Sequence, residues 1–248
     1  FSRFAAMVLM MVLLTNKTHE VYIDFRAKFR FDWAMIRKIL FIGVPSSVEN
    51  SIFELGRILV VGIISGFGTV QIAANAVANT MDSMGVIIGK AMGLAILTVV
   101  GQCVGTGDYN VVKFYIKKCM KLTYLLHIAW NALLFATLPL TIRLFHLSPE
   151  TQKLALLLIV IHNGCGMVIW PMSFAFPNAL RAANDARFTM AVSMTSMIVC
   201  RIGMSLVLAD YFAMGAVGVW IAMVIDWIAR STCFWLRYRS GKWQKYCI

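Results

Sequence analysis

At 248 residues, 60% of them hydrophobic and 14% charged, this chain has a mean hydropathy of +0.77. A soluble domain carries about a quarter charged side chains, so lipid rather than water is the solvent this composition suits. The net charge of +12 raises nucleic acid as a partner, since Lys and Arg neutralise phosphates, but the basic residues gather in alternate connectors between apolar runs and so argue against it.

In chain order, the first apolar stretch, Phe4 to Leu14, is shorter than the ~20 residues that cross a bilayer as a helix. Residues 1–14 read as the end of a preceding transmembrane helix. A secretory signal would need a small-residue cleavage site, and Thr15-Asn16-Lys17 supplies none. Residues 15–38 mix Tyr22, Ile23, Phe25, Phe29, Phe31 and Trp33 with Lys17, Arg26, Lys28, Arg30, Arg37 and Lys38. That is the composition of an amphipathic connector lying at an anionic cytosolic leaflet. Six spans are then expected over 36–64, 72–104, 114–145, 152–177, 188–209 and 216–236, all helical because a lipid-facing backbone must satisfy its own hydrogen bonds. Residues 39–238 are thus a six-helix unit and 239–248 a basic tail.

Charge sets the topology. The connectors after the second, fourth and sixth spans carry Lys113, Lys117, Lys118 and Lys121, then Arg181 and Arg187, then Arg237, Arg239, Lys242 and Lys245. Residues 65–74 and 209–215 carry no Lys or Arg, and 141–153 only Arg143 and Lys153. The positive-inside rule therefore puts the basic connectors and the C-terminus in the cytosol of a multi-pass cell-membrane protein.

Local signals agree with helices. Ser148-Pro149-Glu150 offers an N-cap, a first-position proline and an acid in the first turn. Gly105-Thr106-Gly107-Asp108 ends the second span, and with no strand before it this is not a phosphate-binding loop. Glycines 85, 89, 93, 101 and 105 form a slowly drifting stripe that permits close helix packing. Pro139, Pro171 and Pro177 each favour a kink.

Polar residues inside the spans are the candidate site, because an ionised group near the bilayer centre costs ~2.5 to 3.5 kcal/mol on insertion scales and usually faces a cavity or a partner. The first span carries Glu49, Asn50, Glu54 and Arg57. Glu54 lies nine residues after Pro45, about 13 Å along the helix and close to mid-membrane. It either pairs with Arg57 within the helix or faces a wet space and binds a cation. In the second span Asn75, Asn79, Asp82 and Lys90 share one arc, and Asp82 and Lys90 are too far apart along it to touch. Each therefore looks to another helix or to water. The fourth span offers His162, Asn163 and Trp170, with His titrating nearest physiological pH. Arg201 lies in the fifth span, and Asp226 with Arg230 reads most simply as a mutual ion pair near the cytosolic end of the sixth.

The six cysteines are scattered, with neither zinc spacing nor a disulfide framework. No Ser-His-Asp, H-E-x-x-H or G-x-S-x-G spacing occurs, so no enzyme and no cofactor are indicated.

Gly43-Val44-Pro45, Phe67-Gly68-Thr69 with Ile72-Ala73-Ala74, and Val100-Gly101-Gln102-Cys103-Val104-Gly105-Thr106-Gly107-Asp108 resemble, in order and spacing, the multidrug and toxin extrusion (MATE) family. Pro177-Asn178-Ala179-Leu180-Arg181-Ala182-Ala183-Asn184-Asp185 resembles that family's loop between its tenth and eleventh helices. The resemblance implies an all-α twelve-helix transporter in two lobes, of which this chain is the C-terminal one, partnered by an N-terminal lobe of the same protein and by membrane lipid. It implies export of small organic, often cationic, compounds against a proton or sodium gradient by rocking of the lobes. Some members carry acids on the seventh and tenth helices. Here Glu49 and Glu54 lie on the seventh, but His162 and Asn163 occupy the tenth. Substrate or coupling-ion contacts are accordingly expected from Glu49, Asn50, Glu54, Asn79, Asp82, His162, Asn163 and Trp170. A lipid-linked oligosaccharide flippase, using Arg57, Lys90 and Arg201, and a channel or structural membrane subunit, lined by Asn75, Asn79 and Asp82, remain as alternatives.

Overall fold

The structure, a computed structural model, describes residues 2–15 and 31–246, with no strand among them. Residues 1–40 and 41–248 form two compact units. The first contains α1 (Ser2–Thr15), whose apolar side chains are mostly exposed, and the start of α2 (Trp33–Ser65). Most of the expected amphipathic connector, residues 16–30, lies outside the described residues.

The second unit holds the rest of α2 and then α3 (Thr69–Gly85), α4 (Ile87–Gly105) and α5 (Tyr109–Leu144). After these come α6 (Pro149–Ala182), α7 (Ala186–Tyr211) and α8 (Gly215–Arg239). A short 3-10 turn, Lys242–Tyr246, follows. Helices α4 to α8 are the five that are long and apolar enough to cross a membrane among the described residues. Helix α2 is 33 residues long, about 50 Å at 1.5 Å per residue, but it carries Glu49, Glu54 and Arg57 in its apolar run. The caps follow the sequence: the Asp108 carboxylate accepts the Asn110 N–H at 2.8 Å, and Ser148 Oγ accepts the Thr151 N–H at 3.4 Å ahead of Pro149.

The expected second span, 72–104, is not one helix. It breaks at Val86, where the backbone ladder is interrupted and resumes with the Lys90 N–H on the Val86 carbonyl. Both halves pack on α6, α3 on its first part and α4 on its Pro171–Ala182 part, and α4 packs on α5 as well. Carbonyls beside it find side-chain donors on α5: Trp130 Nε1 donates to Met84 O at 2.8 Å and Asn131 Nδ2 to Gly85 O at 3.1 Å. In a lipid-facing helix such groups must be satisfied internally, and α5 satisfies them.

The prolines differ in effect. Helix α5 runs uninterrupted through Pro139, whereas α6 widens into a π-helical turn at Pro171–Ala175, with the Phe176 N–H reaching the Pro171 carbonyl at 2.9 Å. The glycine stripe packs only along its first half. A Cβ at Gly85 would strike Asn131 and Asn163, and one at Gly89 would strike the Trp170 ring, while Gly101 and Gly105 face open space.

Buried apolar residues fall into two clusters rather than one. Met81, Leu138, Ile159 and Met223 belong to the first, and Val86, Met120, Trp170 and Trp227 to the second. Between these markers lie Asp82 on α3, His127 and Asn131 on α5, His162 and Asn163 on α6, and Asp226 on α8. A polar layer therefore crosses the helix bundle between two apolar cores.

Candidate functional site

Four elements build the centre of that layer. Asp82 closes the last turn of α3 just before the Val86 break, and its Oδ1 lies 3.1 Å from His162 Nδ1 on α6. The His162 side chain is 3% exposed and the Asp82 side chain 26%, so the pair has one closed and one open end. His162 packs against the rings of Trp220 and Trp227, at centroid distances of 4.6 and 4.2 Å. His127 on α5 stacks on Trp170 at 5.4 Å, and Trp170 stacks in turn on Phe174 at 5.1 Å. Asn131, one turn on from His127, donates to the His127 carbonyl at 3.0 Å as well as to Gly85.

Asp82, His127, Asn131, His162, Asn163 and Trp170 line a cavity of ≈ 10 Å³, about the space one water molecule requires. Buried ring nitrogens of both histidines lack a well-formed hydrogen bond, an uncommon state for groups that cost 1–3 kcal/mol when left unsatisfied.

The expected site residues thus separate. Asp82, His162, Asn163 and Trp170 come together. Asn79 folds back on its own helix, donating to the Asn75 carbonyl and side chain at 2.9 and 3.0 Å, while Asn75 Oδ1 accepts Trp220 Nε1 at 3.0 Å. Asn50 is exposed. Glu49 is buried and bonded at 2.6 Å to Arg181, at the C-terminal end of α6. Glu54 sits on an open face, 65% exposed, and pairs with Arg57 at 3.2 Å, the local option its spacing allowed. His127 and Asn131 were not singled out from the sequence. Four residues apart in the apolar run of α5, they carry the same signal of expensive polar groups that marked His162 and Asn163.

The MatE family model matches residues 45–207. This chain belongs to the MatE family. Curated relatives include the probable multidrug resistance protein NorM of Thermotoga maritima, 26% identical over 87% of this chain and 46% of the relative. The uncharacterized transporter YisQ of Bacillus subtilis is 24% identical over 94% and 51%. The fold superposes on an outward-facing multidrug resistance MATE family transporter of the MOP superfamily with a TM-score of 0.82 at 19% identity, covering 96% of this chain and 54% of that one. A MOP superfamily transporter from Pyrococcus furiosus gives 0.81, also at 19% identity, over 97% and 54%. The chain spans about half the length of the relatives it matches.

A second ionic cluster in this MatE lobe corrects one expectation. Asp226 is not reserved for Arg230. Its carboxylate lies 3.3 Å from Arg230 Nε and 3.2 Å from Arg201 Nη2 of α7, with Asp226 fully enclosed and both arginines nearly so. Arg230 also donates to Ser196 Oγ at 2.9 Å and to the Ser193 carbonyl at 3.0 Å. Phe53 of α2 covers both guanidinium groups at 5.0 and 5.3 Å, within reach of a cation–π interaction. Arg201 reaches Asp226 because α7 is π-helical over Met197–Gly203, and no periodicity argument from the sequence signals that widening.

Proposed function

We propose that this chain is the C-terminal lobe of a secondary antiporter that exports organic, cationic compounds across the cytoplasmic membrane in exchange for a proton or sodium ion, with its C-terminus in the cytosol. Membership of the MatE family and relatives named as probable multidrug resistance proteins support this reading. The observation that carries it is the Asp82–His162 pair, partly open, beside a polar cavity in the middle of an apolar bundle. An acid at that depth is retained despite its cost where it meets an ion or a substrate. Alternating access moves one repeat against another about a site at their interface, so the lobe works with a second lobe of the same architecture and does not transport alone. It is a carrier and not an enzyme.

The flippase alternative loses two of its three cations, since Arg201 is held by Asp226 and Arg57 pairs with Glu54. Efflux of cationic dyes by the transporter containing this lobe, with and without collapse of the proton and sodium gradients, tests the proposal. Gradient-dependent efflux that Asp82→Asn abolishes is expected. Gradient-independent ion flux would point to a channel instead.

A further inference from the structure

Helix α5 carries Lys and Arg at its two ends only: Lys113, Lys117, Lys118 and Lys121 near its start and Arg143 near its finish, with no acid anywhere in it. Lys121 and Arg143 are 22 residues apart, about 33 Å along a helix, which matches a ~30 Å hydrocarbon core. Lys121 therefore lies at the membrane boundary. The turns from Lys121 back to Lys113, about 12 Å of helix, cross the headgroup layer and emerge from it.

Val112, Ile116 and Met120 turn into the bundle, whereas all four lysines are exposed. Lys113, Lys117 and Lys121, at i, i+4 and i+8, form one row. Like charges at that spacing repel each other. Among the described residues no carboxylate lies within salt-bridge reach of any of the four, and Asp108, the nearest acid in sequence, caps the helix on the Asn110 N–H. The other basic connectors differ, because charges there are engaged within the protein: Arg181 meets Glu49 at 2.6 Å and Arg237 meets Asp185 at 2.7 Å. Apolar groups surround the lysine row on its outer side. Phe114 is 59% exposed beside an exposed Tyr115, and the Lys118 ammonium stands 5.7 Å from the Phe114 ring centroid. One turn deeper, Leu122 and Leu125 are also exposed.

We infer that this end of α5 binds an anionic phospholipid, with the phosphodiester against Lys117, Lys118 and Lys121 and the acyl chains running down over Leu122 and Leu125. The lipid's charge relieves the repulsion along the row, and its chains cover the leucines that the bundle leaves open. Lysine meets phosphate as a point charge on a flexible stem rather than as a fixed fork, so the site selects net headgroup charge and not one headgroup shape. A zwitterionic lipid carries its own ammonium beside the phosphate and gains less. A free phosphate would use the lysines but not the apolar surface, and exposed aromatic rings at headgroup level suit a lipid boundary. The site depends on α5 crossing the membrane and not on what the protein exports.

Native mass spectrometry of the whole chain, released from detergent micelles, measures binding of phosphatidylglycerol and of phosphatidylcholine with the same acyl chains. The expected result is preference for phosphatidylglycerol. Removing a lysine should weaken that binding about fivefold, and Lys117→Gln with Lys121→Gln about thirtyfold, with phosphatidylcholine binding unchanged. Lys242→Gln with Lys245→Gln removes the same charge from the C-terminal tail and should leave the preference intact. Where the α5 double variant fails to fold, Lys118→Gln alone should show the fivefold loss. Equal binding of the two lipids, or an equal loss in the tail variant, would overturn the inference. So would binding of inorganic phosphate as tight as that of phosphatidylglycerol, since the lysines would then hold a free anion without help from the leucines.

Discussion

Two buried ionic groups lie in the same lobe and are built to opposite specifications. The Asp226 cluster is closed: one carboxylate, two arginines, supporting bonds from Ser193 and Ser196, and an aromatic lid from Phe53. The Asp82 cluster is looser, with an acid 26% exposed and a water-sized cavity beside it. A charge that is fully surrounded has one arrangement and serves packing. A half-buried charge beside a cavity keeps a route to solvent, which the role proposed for Asp82 requires.

The sharpest way to break this contrast is Asp226→Asn. Removing the carboxylate leaves two buried guanidinium groups uncompensated, and breaking a buried pair costs about 3 to 5 kcal/mol. The expected outcome is a large loss of folded protein, read by thermal unfolding in detergent. Survival at wild-type stability would mean that the closed cluster is not structural. Asp82→Asn should do the reverse, lowering coupled efflux roughly tenfold or more with only a small change in unfolding temperature. A variant that transports normally would remove Asp82 from the site.

Intermediate in size is Gly89→Ala, whose methyl group meets the rigid Trp170 ring. Overpacking of that kind costs about 1 to 3 kcal/mol, and Gly101→Ala, in open space on the same stripe, is the control expected to be silent. Smallest is Glu54→Gln. Its exposed pair with Arg57 is worth about 0 to 1 kcal/mol, so unfolding should scarcely move. Efflux measured across pH then decides whether Glu54 meets the cation: an unaltered pH profile would leave it a surface pair.

How far the sequence was legible depended on which interaction placed each residue. Charge alternation and the turn signals at Asp108 and Ser148 are local, and the helices they bound appear where expected. The polar arc of α3 was visible, but its division was not: Asn79 is satisfied within its own helix, while Asp82 is turned toward α6 next to a break that a run of Gly, Val and Ile does not announce. Asp82 and His162 are 80 positions apart, and nothing in either span says which helix the other will meet. The pairing of Arg201 with Asp226 depends on the π-helical widening of α7, which shifts the phase on which helical spacing arguments rest.

The break at Val86 also bears on how the chain is made. The Met84 and Gly85 carbonyls lie in α3, but their donors, Trp130 and Asn131, are 46 residues later in α5. A growing polypeptide that has delivered only the second span to the membrane holds those carbonyls without these partners in surroundings that provide no water. The broken second span therefore depends on the third for two of its carbonyl partners, and the polar cavity needs α6 as well, which brings His162 alongside.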